Sequence, residues 1–261
     1  ERVLPESKRY TDYTDPLIVG SDIYAVKRGH VHTPSLIRID STGKEHFICS
    51  QSYTASSPRW DEATGRLYWS ETRPDERWSM KSGSEIRYME GGKGVKKSLN
   101  NKERLYNPVF SNNCISVVKY LNDGHSALDI LDGCGSAVQS IPAPDSLQLV
   151  ESAWVGGDVY VTGISENGYG IYELKDGSWT MVLAPQPVMI KDFKAFGEDL
   201  IFTCDRTGVN ELYHFNPSTG ALIQKTSTRY GASDFEYSDD GKTLFYSSQT
   251  LMGKHLFRTP A

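Results

Sequence analysis

The sequence predicts an all-β protein, a six-bladed β-propeller of four-stranded antiparallel blades. Three observations carry that reading. An apolar pentad recurs six times, as DIYAV from Asp22, RLYWS from Arg66, CISVV from Cys114, DVYVT from Asp158, DLIFT from Asp199 and TLFYS from Thr243. The matching residues Ile23, Leu67, Ile115, Val159, Leu200 and Leu244 are spaced 44, 48, 44, 41 and 44 apart. The 261 residues include 23 Gly, 15 Tyr and 5 Trp, which suits turns and strands rather than helices. Four-stranded units at this interval cannot cover both of their faces alone, so they stack as blades.

Each pentad is almost continuously apolar, as a strand covered on both faces should be. A short strand and turn precede it: PLIVGSD, PRWDEATGR, PVFSNN, SAWVGGD, DFKAFGED and DFEYSDDGK. A third strand follows: LIRID, EIRYME, ALDILD, GIYEL, ELYHF and HLFRT. The first five units add a fourth, such as EHFICS from Glu45 and WTMVLA from Trp179, whereas the sixth stops at three. Gly, Asp and Asn turns between such runs make antiparallel meanders. The spare residues 1–15 are expected to supply the outer strand of the last blade, which closes the ring and removes an exposed edge. One domain over 1–261 follows, with blades near 16–57, 58–107, 108–151, 152–191, 192–233, and 234–261 joined by 1–15.

The formal net charge of −5 argues against a nucleic-acid partner, whose phosphates need a concentrated basic surface. No apolar run reaches the length of a membrane span. The chain does not open on Met and reads as a processed form or a piece of a longer protein. No G-x-S-x-G, H-E-x-x-H or Gly-rich phosphate loop is present, so neither enzyme chemistry nor a cofactor is expected.

SPRWDEATGRLYWSE, SDFEYSDDGKTLFYSS and TCDRTGVNELYHFNPSTG resemble the repeats of TolB-like propellers. The family pattern is S-P-x-W-S-P-D-G-x-x-I-x-F-x-S, then D-R-x-G-x-x-x-I-Y, then a D-x-x-T-G hairpin. The match spans the chain, close in units two, five and six and looser in the others. The resemblance implies a bacterial periplasmic, cell-surface or secreted address and leaves activity open, since such repeats serve TolB, peptidase propellers and uncharacterised secreted proteins.

Loops on a rigid scaffold carry function. The connections between second and third strands, KRGHVHTP, ETRPDERWSMKSGS, KYLNDGHS, ISENGYG, CDRTGVN and SQTLMGK, read as longer than the turns on the opposite face. With the links between blades, they define the expected binding face for a protein, small-molecule or glycan ligand. The second unit has the longest insertion and gathers Arg73, Asp75, Glu76, Arg77 and Trp78. Arg and Trp dominate recognition hot spots, but Asp75 and Arg77 tying the loop to itself is an equal reading. Tyr53, Tyr106 and Tyr230, with Arg229, precede innermost strands and are candidates to ring the channel mouth. Asp205 and Arg206 match the family's D-R-x-G, with loop ordering favoured over ligand contact. His30 and His32 form a lone H-x-H whose alternate residues on an extended segment would point the same way, a weak metal signal.

A non-catalytic binding or scaffolding propeller is therefore expected. The alternatives are a substrate-filtering propeller of a serine peptidase, and a carbohydrate-active enzyme using two of Asp75, Glu76 and Asp205. One disulfide is a further expectation. A two-residue turn at Asp123-Gly124 brings Cys114 opposite position 133, one residue from Cys134, and a small bulge would complete the bridge. Cys49 and Cys204 are expected to stay reduced. A disulfide would fit an oxidising compartment.

Overall fold

A computed structural model describes residues 1–78, 80–90, 97–99 and 104–261. Among them every regular element is a β-strand. The first meander is β1 (Thr11–Val19), β2 (Asp22–Gly29), β3 (His32–Ile39) and β4 (Glu45–Ser50). The second is β5 (Arg59–Asp61), β6 (Arg66–Pro74), β7 (Ser82–Glu90) and β8 (Lys97–Ser98). The third is β9 (Leu105–Ser111), β10 (Cys114–Tyr120), β11 (Ser126–Asp132) and β12 (Ala137–Pro142). The fourth is β13 (Gln148–Val155), β14 (Asp158–Ser165), β15 (Gly168–Lys175) and β16 (Ser178–Gln186). The fifth is β17 (Ile190–Phe196), β18 (Asp199–Cys204), β19 (Glu211–Phe215) and β20 (Leu222–Gln224). The sixth is β21 (Ala232–Tyr237), β22 (Thr243–Thr250) and β23 (Gly253–Pro260). Each forms one sheet with neighbours paired in chain order, as propeller blades do.

The pentads are the second strands, and five of the six marker residues are buried, Ile23 being half-covered. By their contacts the residues fall into two compact units. One comprises Glu1–Tyr53, Asp205–Leu212 and Gln224–Ala261, with a core of Leu4, Tyr13, Ala25, Ile37, Ile39 and Leu256. The other comprises Thr54–Cys204 and Tyr213–Ile223. Its clusters centre on Tyr68, Ile86 and Ile115, on Val118, Leu149 and Val161, and on Phe193, Phe202 and Phe215.

The missing strand of the sixth blade comes from the N-terminus. Val3 N–H donates to Leu256 O at 2.9 Å, Arg258 N–H to Glu1 O at 2.7 Å, and Arg2 pairs antiparallel with Phe257. Only residues 1–3 pair there, fewer than the fifteen expected. Residues 4–10 then lead to β1, which starts at Thr11 rather than near Pro16. The strand runs through TDP because a bulge between Thr14 and Leu17 places Asp15 in the left-handed region, φ +53. Thr11 N–H bonds to Met252 O at 2.9 Å. Gly253, φ +109, is obligatory at this crossing, because a Cβ would come 2.3 Å from Thr11 O.

Candidate functional site

The strand registers place the second-to-third connections and the inter-blade links at one end of each blade, but they are shorter than the sequence suggests. In the first, fourth and sixth blades the strands run to two-residue turns, His30–Val31, Glu166–Asn167 and Leu251–Met252. Polar residues such as Lys27 and Arg28 are strand residues paired with Tyr13 and Asp12. His30 therefore sits in the turn and His32 on β3, so the extended H-x-H geometry is absent, and His30 packs its ring 5.5 Å from that of Tyr10. Among the described residues no group of three or more His, Cys, Asp or Glu is arranged to hold a metal ion.

The second blade is different. Its insertion lengthens the hairpin itself: β6 and β7 stay paired out to Arg73 with Gly83 and Pro74 with Ser82. Asp75 closes the tip. Its Oδ1 accepts the backbone N–H of Arg77 and of Trp78, each at 2.9 Å, and its own N–H reaches Lys81 O at 3.0 Å. These two donors hold its carboxyl below the usual carboxylate range. Asp75 thus ties the loop to itself, the local alternative read from the sequence, and this leaves Arg77 and Trp78 projecting.

Beside the hairpin lies an open groove of about 910 Å³ lined by Arg73, Arg77, Lys81 and Arg104 and by Asp75, Glu76 and Glu85. At the hairpin tip Trp78 is 62 % and Met80 98 % exposed. Glu85 lies on the floor, 3 % exposed, ion-paired to Arg87 and accepting Ser98 Oγ at 2.6 Å. Arg87 also reaches Glu71 at 3.5 Å, and Trp69 Nε1–H donates to Glu71 at 3.0 Å. The two buried carboxylates are thereby neutralised by shared donors.

Four of the residues gathered from the insertion, Arg73, Asp75, Glu76 and Arg77, line this groove, and Trp78 stands exposed on the adjoining hairpin tip. Tyr106 belongs to β9, is half-buried, and packs its ring 5.2 Å from that of Tyr120. Tyr53, Asp205, Arg206, Arg229 and Tyr230 belong to the other compact unit, all exposed, with the Arg229 guanidinium 5.3 Å from the Tyr230 ring centre. Of the link at 100–106, only 104–106 are described.

The expected Cys114–Cys134 bridge is not formed, and all four cysteines are reduced. The turn uses five residues rather than two, with Leu121 N–H on His125 O at 2.9 Å, so Cys114 faces Asp132. Cys134 lies past β11 in a separate exposed turn, where its N–H donates to Asp132 Oδ1 at 2.9 Å.

Sequence reasoning found the innermost strands but missed the bulges on them. Asp15, Asn107, Asp192 and Asp234 hold φ of +53, +52, +54 and +56, each at a bulge. Their side chains pin those bulges: Asn107 Nδ2 donates to Val150 O at 2.8 Å and Thr203 Oγ1 to Asp192 at 3.0 Å. Glu151 occupies the equivalent position of the fourth blade. Burial, then the Asp192 charge, push its carboxyl up to about 7, while Phe193 N–H donates to it at 2.8 Å. The signal was present: 15, 107, 151 and 192 each stand eight residues before a pentad marker.

Comparison with known proteins places the fold. No protein-family model and no curated protein sequence matches the chain. TolB from Acinetobacter baumannii superposes with a TM-score of 0.68 at 14 % identity, over 92 % of this chain and 61 % of that one. The β-propeller domain of the trilobed protease from Pyrococcus furiosus gives 0.63 at 13 %, over 96 % and 95 %. A puromycin-hydrolyzing peptidase from Mycobacterium tuberculosis gives 0.64 at 14 %, over 94 % of this chain but 44 % of its own. The fold is that of a TolB-like six-bladed β-propeller, shared with peptidase chains of which it spans less than half.

Proposed function

We propose that this propeller is a non-catalytic binding module that takes a protein ligand on the β6–β7 hairpin and its groove. The carrying observation is the hairpin tip, where Trp78 and Met80 stand exposed beside Arg73, Arg77 and Lys81. Aromatic and Arg side chains around a groove are what recognition hot spots use. The mixed signs of the lining suit a polypeptide, which brings both charges, better than a polyanion. Of the three carboxylates lining the groove, Asp75 is committed to the tip and Glu85 to Arg87, which favours binding over acid–base chemistry.

Selection from a displayed random-peptide library tests the reading. Peptides enriched on the wild type should not bind the double variant Arg77→Ala/Trp78→Ala. Enrichment of nothing, or of peptides indifferent to those changes, sinks it.

A second reading, a propeller that filters substrates for a peptidase, is favoured by the peptidase chains among the structural matches. Finding a G-x-S-x-G-bearing α/β domain in the same polypeptide would support it. An extracytoplasmic address rests on the likeness to TolB repeats alone, the disulfide no longer contributing. Among the described residues no helix is long and apolar enough to cross a membrane. Fractionation of cells making the full-length protein tests the address.

A further inference from the structure

His255 is 1 % exposed, and neither of its ring nitrogens has a hydrogen-bond partner. Buried polar atoms are nearly always paired, so this ring needs an explanation. It stands on β23, the strand that receives the N-terminal segment, directly before Leu256 and Phe257, which pair with Val3 and Arg2. The ring lies 5.6 Å from that of Tyr13 on β1. Arg2 and Glu6 from the N-terminal segment and Asp12 from β1 act on it electrostatically. Around Tyr13 itself, Lys27 of β2 sits 5.3 Å from the ring centre and Glu45 of β4 accepts the hydroxyl at 2.6 Å.

Both acids that would welcome an imidazolium already have partners. Glu6 pairs with Arg2 at 3.7 Å, and Asp12 Oδ1 accepts Lys254 N–H at 2.8 Å. A protonated ring would be a buried cation facing Arg2, and the acceptor beside it, the Met252 carbonyl, already takes Thr11 N–H at 2.9 Å. Its cheapest relief is exposure to water, and the nearest removable cover is the short N-terminal strand.

We propose that His255 makes closure of the sixth blade acid-sensitive: protonating its ring releases residues 1–10 from β23 and β1. The direction follows from the closed state. Burial, then Arg2, hold the imidazole below its ordinary value of 6.5. Closure is therefore at full strength above about 6.5 and weakens as pH falls from there to the lower closed-state value. Within that window the closed-to-open ratio falls about tenfold per pH unit.

Hydrogen exchange read by mass spectrometry, corrected for intrinsic rates, tests this on the whole chain at pH 7.5 and 5.5. In the wild type the open fraction of residues 1–10 should rise on acidification, by at most about tenfold per pH unit below 6.5, with β13–β16 unchanged. His255→Leu should abolish the rise. An equal rise in His255→Leu, or one spread over β13–β16, overturns the proposal. If that variant does not fold, the wild-type ring can be titrated by NMR: a midpoint below 6.5 supports the switch, and one at or above 6.5 removes it.

Discussion

Replacing Leu4 by Ala tests whether the N-terminal segment closes the sixth blade as a structural strand or lies there as a loose tail. Leu4 is 5 % exposed and packs with Tyr13, Ala25, Ile37, Ile39 and Leu256. Burying a leucine contributes about 1.5–3 kcal/mol, and truncation in a rigid core costs about 2–5 kcal/mol once the cavity is included. A terminal segment can relax, so the lower half applies, about 2–3 kcal/mol. The backbone bonds of Glu1 and Val3 remain in the variant, so the change reports packing alone. The Glu1–Arg258 ion pair, 3.0 Å and largely exposed, serves as a contrast: Arg258→Ala should cost under about 1 kcal/mol. Urea titration followed by tryptophan fluorescence reads both, provided the slope is unchanged. A Leu4→Ala effect below about 0.5 kcal/mol would refute the closure.

Asp75→Ala should speed amide exchange at Arg77 and Trp78 without moving the urea midpoint, since only the tip loses its acceptor. The same loosening should follow acidification below the usual aspartate range of about 3.9 in the wild type. Asn107→Val puts a β-branched residue at φ +52 and removes the bond to Val150 O, so a loss of about 1–3 kcal/mol is expected, with Asn107→Gly milder. Glu151 should titrate near 7 by carbon-detected NMR. Because its folded value is raised, the stability it contributes is complete below about 4.5 and lost as pH rises through 7; Glu151→Gln should flatten that stretch. Thiol counting on denatured, non-reduced protein should find four thiols, and two would restore the Cys114–Cys134 bridge.

The blade order was legible because second strands are covered on both faces, and a nearly uninterrupted apolar run such as CISVV has few other uses. Closure was legible in kind but not in extent, since pairing of residues 1–3 depends on where β23 presents its edge. The loops were misread for a local reason. Lys27, Arg28, Ser165 and Gln249 are polar because strand ends are wet, not because the chain has left the sheet. A five-residue turn in place of a two-residue one moved the partner of Cys114 by one position, which was enough to lose the bridge. Of the site, Arg73, Asp75, Arg77 and Trp78 were readable from an insertion rich in recognition residues. Glu151 was not, because its neighbour Asp192 comes from the next blade and adjacency between blades has no local signature.

The most direct measurement of the central claim is the affinity of one library-selected peptide for the wild type and for Arg77→Ala/Trp78→Ala. If the β6–β7 hairpin is the recognition element, the double variant should bind at least about 30-fold more weakly, as loss of a hot spot worth about 2 kcal/mol requires. Its urea midpoint should not move, because both side chains stand outside the core. Affinities within about threefold of each other, in a variant of unchanged stability, would contradict the account.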